Sequence, residues 1–216
     1  MIRNLLDWTA YWLVRGTALV LQKLPLGLAL GLGRIAGTLV YFFTKRRTIA
    51  YANLKSAFPG SLVKERRRWA LESFQNLAMN GVEILRFPVL KPEDIDRRVT
   101  YRNYDPYVEL RRQRKAMILL TAHMGNWELS QVGEGIRGRP MAVLARQQKY
   151  RRLDALLNSF REHFGSVSVR KGAGIRHLIQ TLHEGGCVGV LGDQSGGDDG
   201  VWVRFFGRLK IGRAHV

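Results

Sequence analysis

A histidine and a glutamate five positions apart, His123 and Glu128 in "TAHMGNWELS" (121–130), are the residues of this chain best suited to chemistry. A carboxylate bonded to one imidazole nitrogen fixes the tautomer and stabilises the imidazolium, leaving the other nitrogen to take a proton. Such a pair is a general base for activating a hydroxyl. In a continuous helix, positions five apart lie about 140° round the axis and do not face each other. A strand, a turn and a helix start would instead let Glu128 fold back onto His123, and Gly125 permits that turn. The sequence holds no GxSxG elbow, no HExxH and no paired CxxC, and Cys187 lies in the apolar run "CVGVLG" as a core residue would. The hydroxyl is therefore expected to belong to the substrate, with no metal and no cofactor.

Those residues need a scaffold, and the second half of the chain alternates apolar runs with amphipathic segments. The strands are expected at 116–122, 141–146, 166–170 and 187–193, and the helices near 126–136, 150–163 and 174–184. This is a βα alternation, which implies an α/β fold with a mostly parallel, covered central sheet. His123 then falls just past a strand's C-terminal end, where open α/β sheets gather reactive groups.

The first half is different. Residues 8–43 are strongly apolar, and Pro25 should divide them into two helices. The first, roughly 5–23, is nearly long enough to cross a bilayer, although Arg15 near its middle costs about 2.5–3.5 kcal/mol on insertion scales. A membrane anchor is expected, spanning or deeply interfacial. Glycines 27, 31, 33 and 37 form two GxxxG pairs in a helical run with no strand before them, so close helix packing is expected rather than dinucleotide binding. The cluster "TKRRT" (44–48) places the region beyond it on the cytoplasmic side by the positive-inside tendency. A helix is expected over 61–87, with Ser61 as N-cap.

Lys and Arg number 35 against 17 acidic residues, a formal charge of +18, which calls for an anionic partner. The basic clusters lack the periodic aromatic interleaving of nucleic-acid binders, so no nucleic acid is expected. Cys187 is the single cysteine, which excludes an internal disulfide. The closing "IGRAHV" (211–216) matches one reading frame of a common sequencing adapter and is read as a non-native tail, with the natural C-terminal part missing.

The stretch "TAHMGNWELS" resembles the signature of the lipid A biosynthesis (lauroyl/myristoyl) acyltransferase family, within the lysophospholipid-acyltransferase-like superfamily. "RRTIAYANLKSAFP" (46–59), "SFREHFG" (159–165), "GCVGVLGDQ" (186–194) and "GVWVRFFGR" (200–208) extend the likeness in order along the chain. The resemblance implies a glycerophosphate-acyltransferase-like sandwich and an inner-membrane enzyme with its catalytic domain on the cytoplasmic side. Such an enzyme moves a fatty acyl chain from acyl carrier protein to a hydroxyl of a lipid A precursor. By position it implies His123 as base, Glu128 as its orienting partner, and Arg161 and Asp193 as substrate-binding residues, Arg161 for an acceptor phosphate; Asn126, where a helix is expected to begin, is a candidate for substrate binding in competition with helix capping. The chain then divides into three segments: an anchor over 1–44, an incomplete acyltransferase domain over 45–210, and the tail. Another glycolipid or a lysophospholipid as acceptor remains open, as does a basic, membrane-anchored binding protein without catalysis.

Overall fold

The structure, a computed structural model, describes residues 2–145, 147–170, 174–194 and 201–212. The chain divides into two compact units. One is built on the residues up to Gln22 together with Ile84–Asp193, the other on Lys23–Glu83 together with the residues from Gln194 onward.

The first unit holds helix α1 (Ile2–Lys23) up to Gln22 and the four-stranded parallel sheet. Its strands β1 (Met117–Thr121), β2 (Ala142–Ala145), β3 (Val167–Arg170) and β4 (Cys187–Leu191) are the expected apolar runs, trimmed at their ends. Helices α7 (Glu128–Ile136), α8 (Arg151–Arg161) and α9 (Gly174–His183) alternate with them as expected. The sheet order is β1-β4-β2-β3. Right-handed crossovers place α7 and α8 on one face, and α9, which returns the chain to the middle of the sheet, on the other. Under α9, Ala142, Val169 and Val188 form a buried cluster with Leu178, Leu182 and Val190 against it. Each large aliphatic side chain buried there contributes about 1.5–3 kcal/mol.

The sheet is not covered throughout. Ile118 and Leu120 of the edge strand β1 point away from α7 and are exposed, because α9 packs on β2, β3 and β4. Short helices α5 (Pro92–Arg98) and α6 (Asp105–Arg112) precede β1.

The second unit contains α2 (Leu26–Phe43), α3 (Arg46–Ala57) and α4 (Val63–Arg86) as far as Glu83, with a hairpin of β5 (Val201–Phe205) and β6 (Arg208–Gly212). Pro25 precedes α2 and ends the preceding helix as expected. Gly33 and Gly37 lie against α4: a Cβ at residue 37 would stand 2.6 Å from Gln75 Cα, and one at residue 33 would stand 3.2 Å from Met79 Cα. Gln75 Nε2 donates to Thr38 Oγ1 across the same contact at 2.9 Å. The other glycine pair, Gly27 and Gly31, has open space around it. The hairpin, which the sequence did not foretell, turns through Phe206 and Gly207, whose φ values of 50° and 72° fit the two-residue turn with both residues left-handed.

Two expectations change, the cap of α4 and the helix that could cross a membrane. Ser61 does not cap α4: its hydroxyl donates to Phe58 O, while Glu65 accepts from Leu62 N–H at 2.8 Å. Among the described residues, the helix long and apolar enough to cross a membrane is α2, with a mean hydropathy of 1.6, rather than α1. Helix α1 carries Arg3, Asp7, Arg15 and Lys23, and Asp7 is buried where it accepts from Arg152 N–H at 3.0 Å at the start of α8. Of the expected 211–216 tail, Ile211 and Gly212 pair with Trp202 and Val201, and the rest lies outside the described residues.

Gly37→Ala should lower stability by about 1–3 kcal/mol, since backbone cannot yield as a side chain can. Gly31→Ala should be neutral or stabilising by up to about 1 kcal/mol from helix propensity. Thermal unfolding of both variants in detergent separates the two glycine pairs.

Candidate active site

The site lies in the first unit and is set by strand register. Thr121 of β1 pairs with Leu191 of β4, and Gly192 N–H extends the ladder by donating to Thr121 O at 3.3 Å. His123 and Asp193, each two residues past that pair, therefore meet at the carboxyl edge of the sheet. Asp193 accepts twice: from His123 N–H at Oδ2, 2.9 Å, and from the ring Nδ1 at Oδ1, 2.7 Å. An ionised carboxylate only accepts, so Nδ1 carries a proton, and in the neutral imidazole Nε2 is then the nitrogen with the lone pair. Trp127 packs edge-on against the imidazole, with ring centroids 4.7 Å apart. Burial raises the Asp193 carboxyl, but the hydrogen bonds from the His123 ring and backbone outweigh it and hold the group below its ordinary value.

The expected His123–Glu128 contact is not made. Gly125, at φ +56°, turns the chain so that Glu128 opens α7 facing the last turn of α8. There Arg161 donates to it through Nε and, at 2.7 Å, through Nη2. This two-point pair is largely enclosed, with side chains 14% and 13% exposed. Burial disfavours the charged guanidinium, yet the hydrogen bonds and charge of Glu128 prevail and raise Arg161 above its ordinary value. Its remaining nitrogen, Nη1, donates to Asn158 Oδ1 at 3.2 Å. The fork expected for an acceptor phosphate is thus occupied by protein. The structure brings His123 together with Asp193 and Glu128 together with Arg161, as two separate pairs flanking one turn.

Asn126, in that turn, lines a cavity of about 470 Å³ together with Leu119, Leu129, Met141, Val99 and Tyr101. Its polar end is a network that sequence reasoning missed. Buried Glu134 accepts from the hydroxyls of Tyr104 and, at 2.8 Å, Tyr107, and from Arg139 Nε at 3.0 Å. Burial, then the hydrogen bond to Glu134, pushes the Tyr104 hydroxyl up to about 12 and raises that of Tyr107. The available signal was three tyrosines spaced by three in "YRNYDPY" (101–107).

Fold and site define a class: an α/β protein with a His–Asp pair at the carboxyl edge of a parallel sheet. Within that class the chain belongs to the bacterial lipid A biosynthesis acyltransferase family, whose pattern matches residues 2–214. It is 26% identical over 204 residues to the lipid A biosynthesis myristoyltransferase of Escherichia coli (strain K12), covering 94% of this chain and 62% of that protein. Similarity to lipid A biosynthesis acyltransferase 1 of Shigella flexneri has the same extent. With acyltransferase 2 of that organism it is 26% over 180 residues, 83% of this chain and 56% of the relative. The chain spans about three fifths of the length of these curated relatives.

Because the Asp193 value is depressed on folding, its contribution to stability is present above the ordinary carboxyl value of 3.8 and disappears as pH falls through the lower folded value. The gap in Tm between the wild type and Asp193→Asn should therefore close towards pH 2, and a pH-independent gap would contradict this. Glu128→Ala, which leaves Arg161 enclosed without its counter-charge, should cost roughly 3 kcal/mol in denaturant unfolding.

Proposed function

We propose that this protein transfers a fatty acyl chain from acyl carrier protein to a hydroxyl of a lipid A precursor, at the cytoplasmic face of the inner membrane. The observation that carries the reading is the double hydrogen bond from His123 to Asp193, which leaves Nε2 as the basic nitrogen. Family membership gives it its substrate class.

In this reading Nε2 of His123 takes the proton of the acceptor hydroxyl as its oxygen attacks the thioester carbonyl. The C–O bond forms, the tetrahedral intermediate collapses with cleavage of the C–S bond, and the imidazolium returns its proton to the departing thiolate. The products are an ester and the carrier's free thiol. Asp193 orients the ring and stabilises the imidazolium, replacing Glu128 in the role first expected for it. Glu128 and Arg161 position the 123–128 turn from the other side. Asn126 faces the substrate from that turn, and the apolar part of the neighbouring cavity receives hydrocarbon. The surplus of basic residues suits three anionic partners: the carrier, the phosphorylated acceptor and the leaflet surface. Helix α2, with Leu28, Leu32, Ile35 and Leu39 exposed along one face, provides contact with the lipid.

The test is transfer from lauroyl and myristoyl carrier protein to a tetraacylated lipid A precursor by the full-length protein in detergent. His123→Ala should lower the rate by about 10²–10⁴-fold while the protein stays folded. Wild-type turnover in that variant would remove the histidine from the mechanism, and no transfer by the folded wild type to any such acceptor would overturn the assignment.

A further inference from the structure

We infer that the carboxyl edge of the sheet carries a second polar site, at Arg170, which binds a phosphoryl group of a substrate. The inference rests on the acyl-transfer reading and extends it to a part of the substrate remote from the reacting atoms.

The register of the sheet locates the site. Thr121 pairs with Leu191, Ala142 with Val188 and Val143 with Gly189, and Ala145 with Arg170. The strand ends carrying His123, Asp193 and Arg170 thus finish along one edge. In the order β1-β4-β2-β3, Arg170 stands three strand spacings from β1, roughly 14 Å. A substrate that places its hydroxyl or thioester at His123 and carries a phosphoryl group a disaccharide's or a prosthetic arm's length away reaches both.

The local chemistry suits that group. Arg170 Nη2 donates to Asp154 Oδ2 at 3.1 Å, with the arginine side chain 56% exposed and the aspartate 2% exposed. The other oxygen of Asp154 accepts from Gln148 N–H at 2.8 Å. One buried carboxylate therefore fixes both the guanidinium and the loop before α8, where Gln147, Gln148 and Lys149 are exposed. Among the described residues Asp154 is the one group to which Arg170 donates, so the outer side of its planar fork faces solvent. A guanidinium held in place by a buried partner binds phosphate in two-point geometry with little further ordering. Arg161 cannot do this, for its Nε and Nη2 are both on Glu128.

Two phosphoryl sources share this chemistry: a phosphate on the glycolipid acceptor, and the phosphodiester linking the carrier protein to its prosthetic arm. Steady-state transfer by the full-length protein, R170A and R170K distinguishes them, using the lipid A precursor with and without its phosphates and, as donors, acyl carrier protein and an acyl pantetheine lacking phosphate. If the acceptor supplies the group, R170A raises KM for the phosphorylated acceptor roughly 10- to 100-fold, keeps kcat within about threefold, and has no effect with the dephosphorylated one. If the carrier supplies it, the same rise appears in KM for the carrier with either acceptor and vanishes with the pantetheine donor. R170K, which retains the ion pair with Asp154, should melt like the wild type yet recover only part of the affinity. An unchanged KM for both substrates, or a rise indifferent to phosphate, overturns the site. Should the wild type transfer nothing, calorimetric titration with pyrophosphate decides separately: binding lost in R170A upholds the site although the acyl-transfer reading has failed, and equal or absent binding in both proteins overturns it.

Discussion

The parallel pairing of β1 with β4 is the constraint on which the rest of this structure depends. His123 and Asp193 are 70 positions apart in the chain, and only the pairing of Thr121 with Leu191 brings the two strand ends level. A slip of one residue would turn every side chain of the strand to the opposite face and would carry the aspartate away from the imidazole. Packing prevents the slip. Val188 of β4 is buried with Ala142 and Val169 beneath Leu178 and Leu182 of α9, so the apolar contacts of one face set the hydrogen-bond geometry at the edge.

That dependence explains which features were legible in the sequence and which were not. The alternation of strands and helices was legible because each strand is a short apolar run and each helix has its own amphipathic period. The position of His123 past a strand end was legible for the same reason. Strand order was not. Nothing local to residues 187–193 says that β4 inserts beside β1 rather than continuing outward past β3, and without that fact the acid nearest in sequence, Glu128, was the natural partner to expect. The carboxylate that the ring meets in the structure is instead one distant in sequence, Asp193. Glu128 differs from Asp193 in a second way: it begins a helix, and Gly125 aims that helix at α8. The tyrosine–Glu134 network escaped notice because its members lie on α6, on α7 and in the segment before α6, and an amphipathic period within one element does not disclose a partner in another.

Four enclosed acidic residues of the first unit share a common pattern. Glu128 holds Arg161, Glu134 holds Arg139, Asp7 holds Arg152 and Asp154 holds Arg170. With 17 acids against 35 bases, enclosed carboxylates fix particular arginines while the unmatched cations remain at the surface. Burying an ion pair gains little stability over an apolar pair. Its effect here is geometric, since each pair involving α8 joins it to another element: α7 through Arg161, β3 through Asp154 and α1 through Arg152. Two of these engagements bear on the residues discussed above, because one end of α8 supplies Arg161 to Glu128 and its first turns supply Asp154 to Arg170.

The same logic bears on α2. Length and composition alone would let this helix cross a bilayer, but its two faces are unlike. Ala29, Gly33 and Gly37 are buried, the glycines because the backbone of α4 approaches too closely for any side chain. Helix α4 begins with the charged stretch "VKERRRWALES", while the residues that meet these glycines, Phe74, Gln75, Ala78, Met79 and Val82, are uncharged. With one face committed to such a neighbour, only the opposite face, along Leu28, Leu32, Ile35 and Leu39, is free for lipid. A helix with one face packed on a neighbouring helix and the other exposed and apolar is suited to contact a leaflet through the exposed face. The glycines that first suggested helix packing thus also decide how the most apolar segment of the chain can meet a membrane.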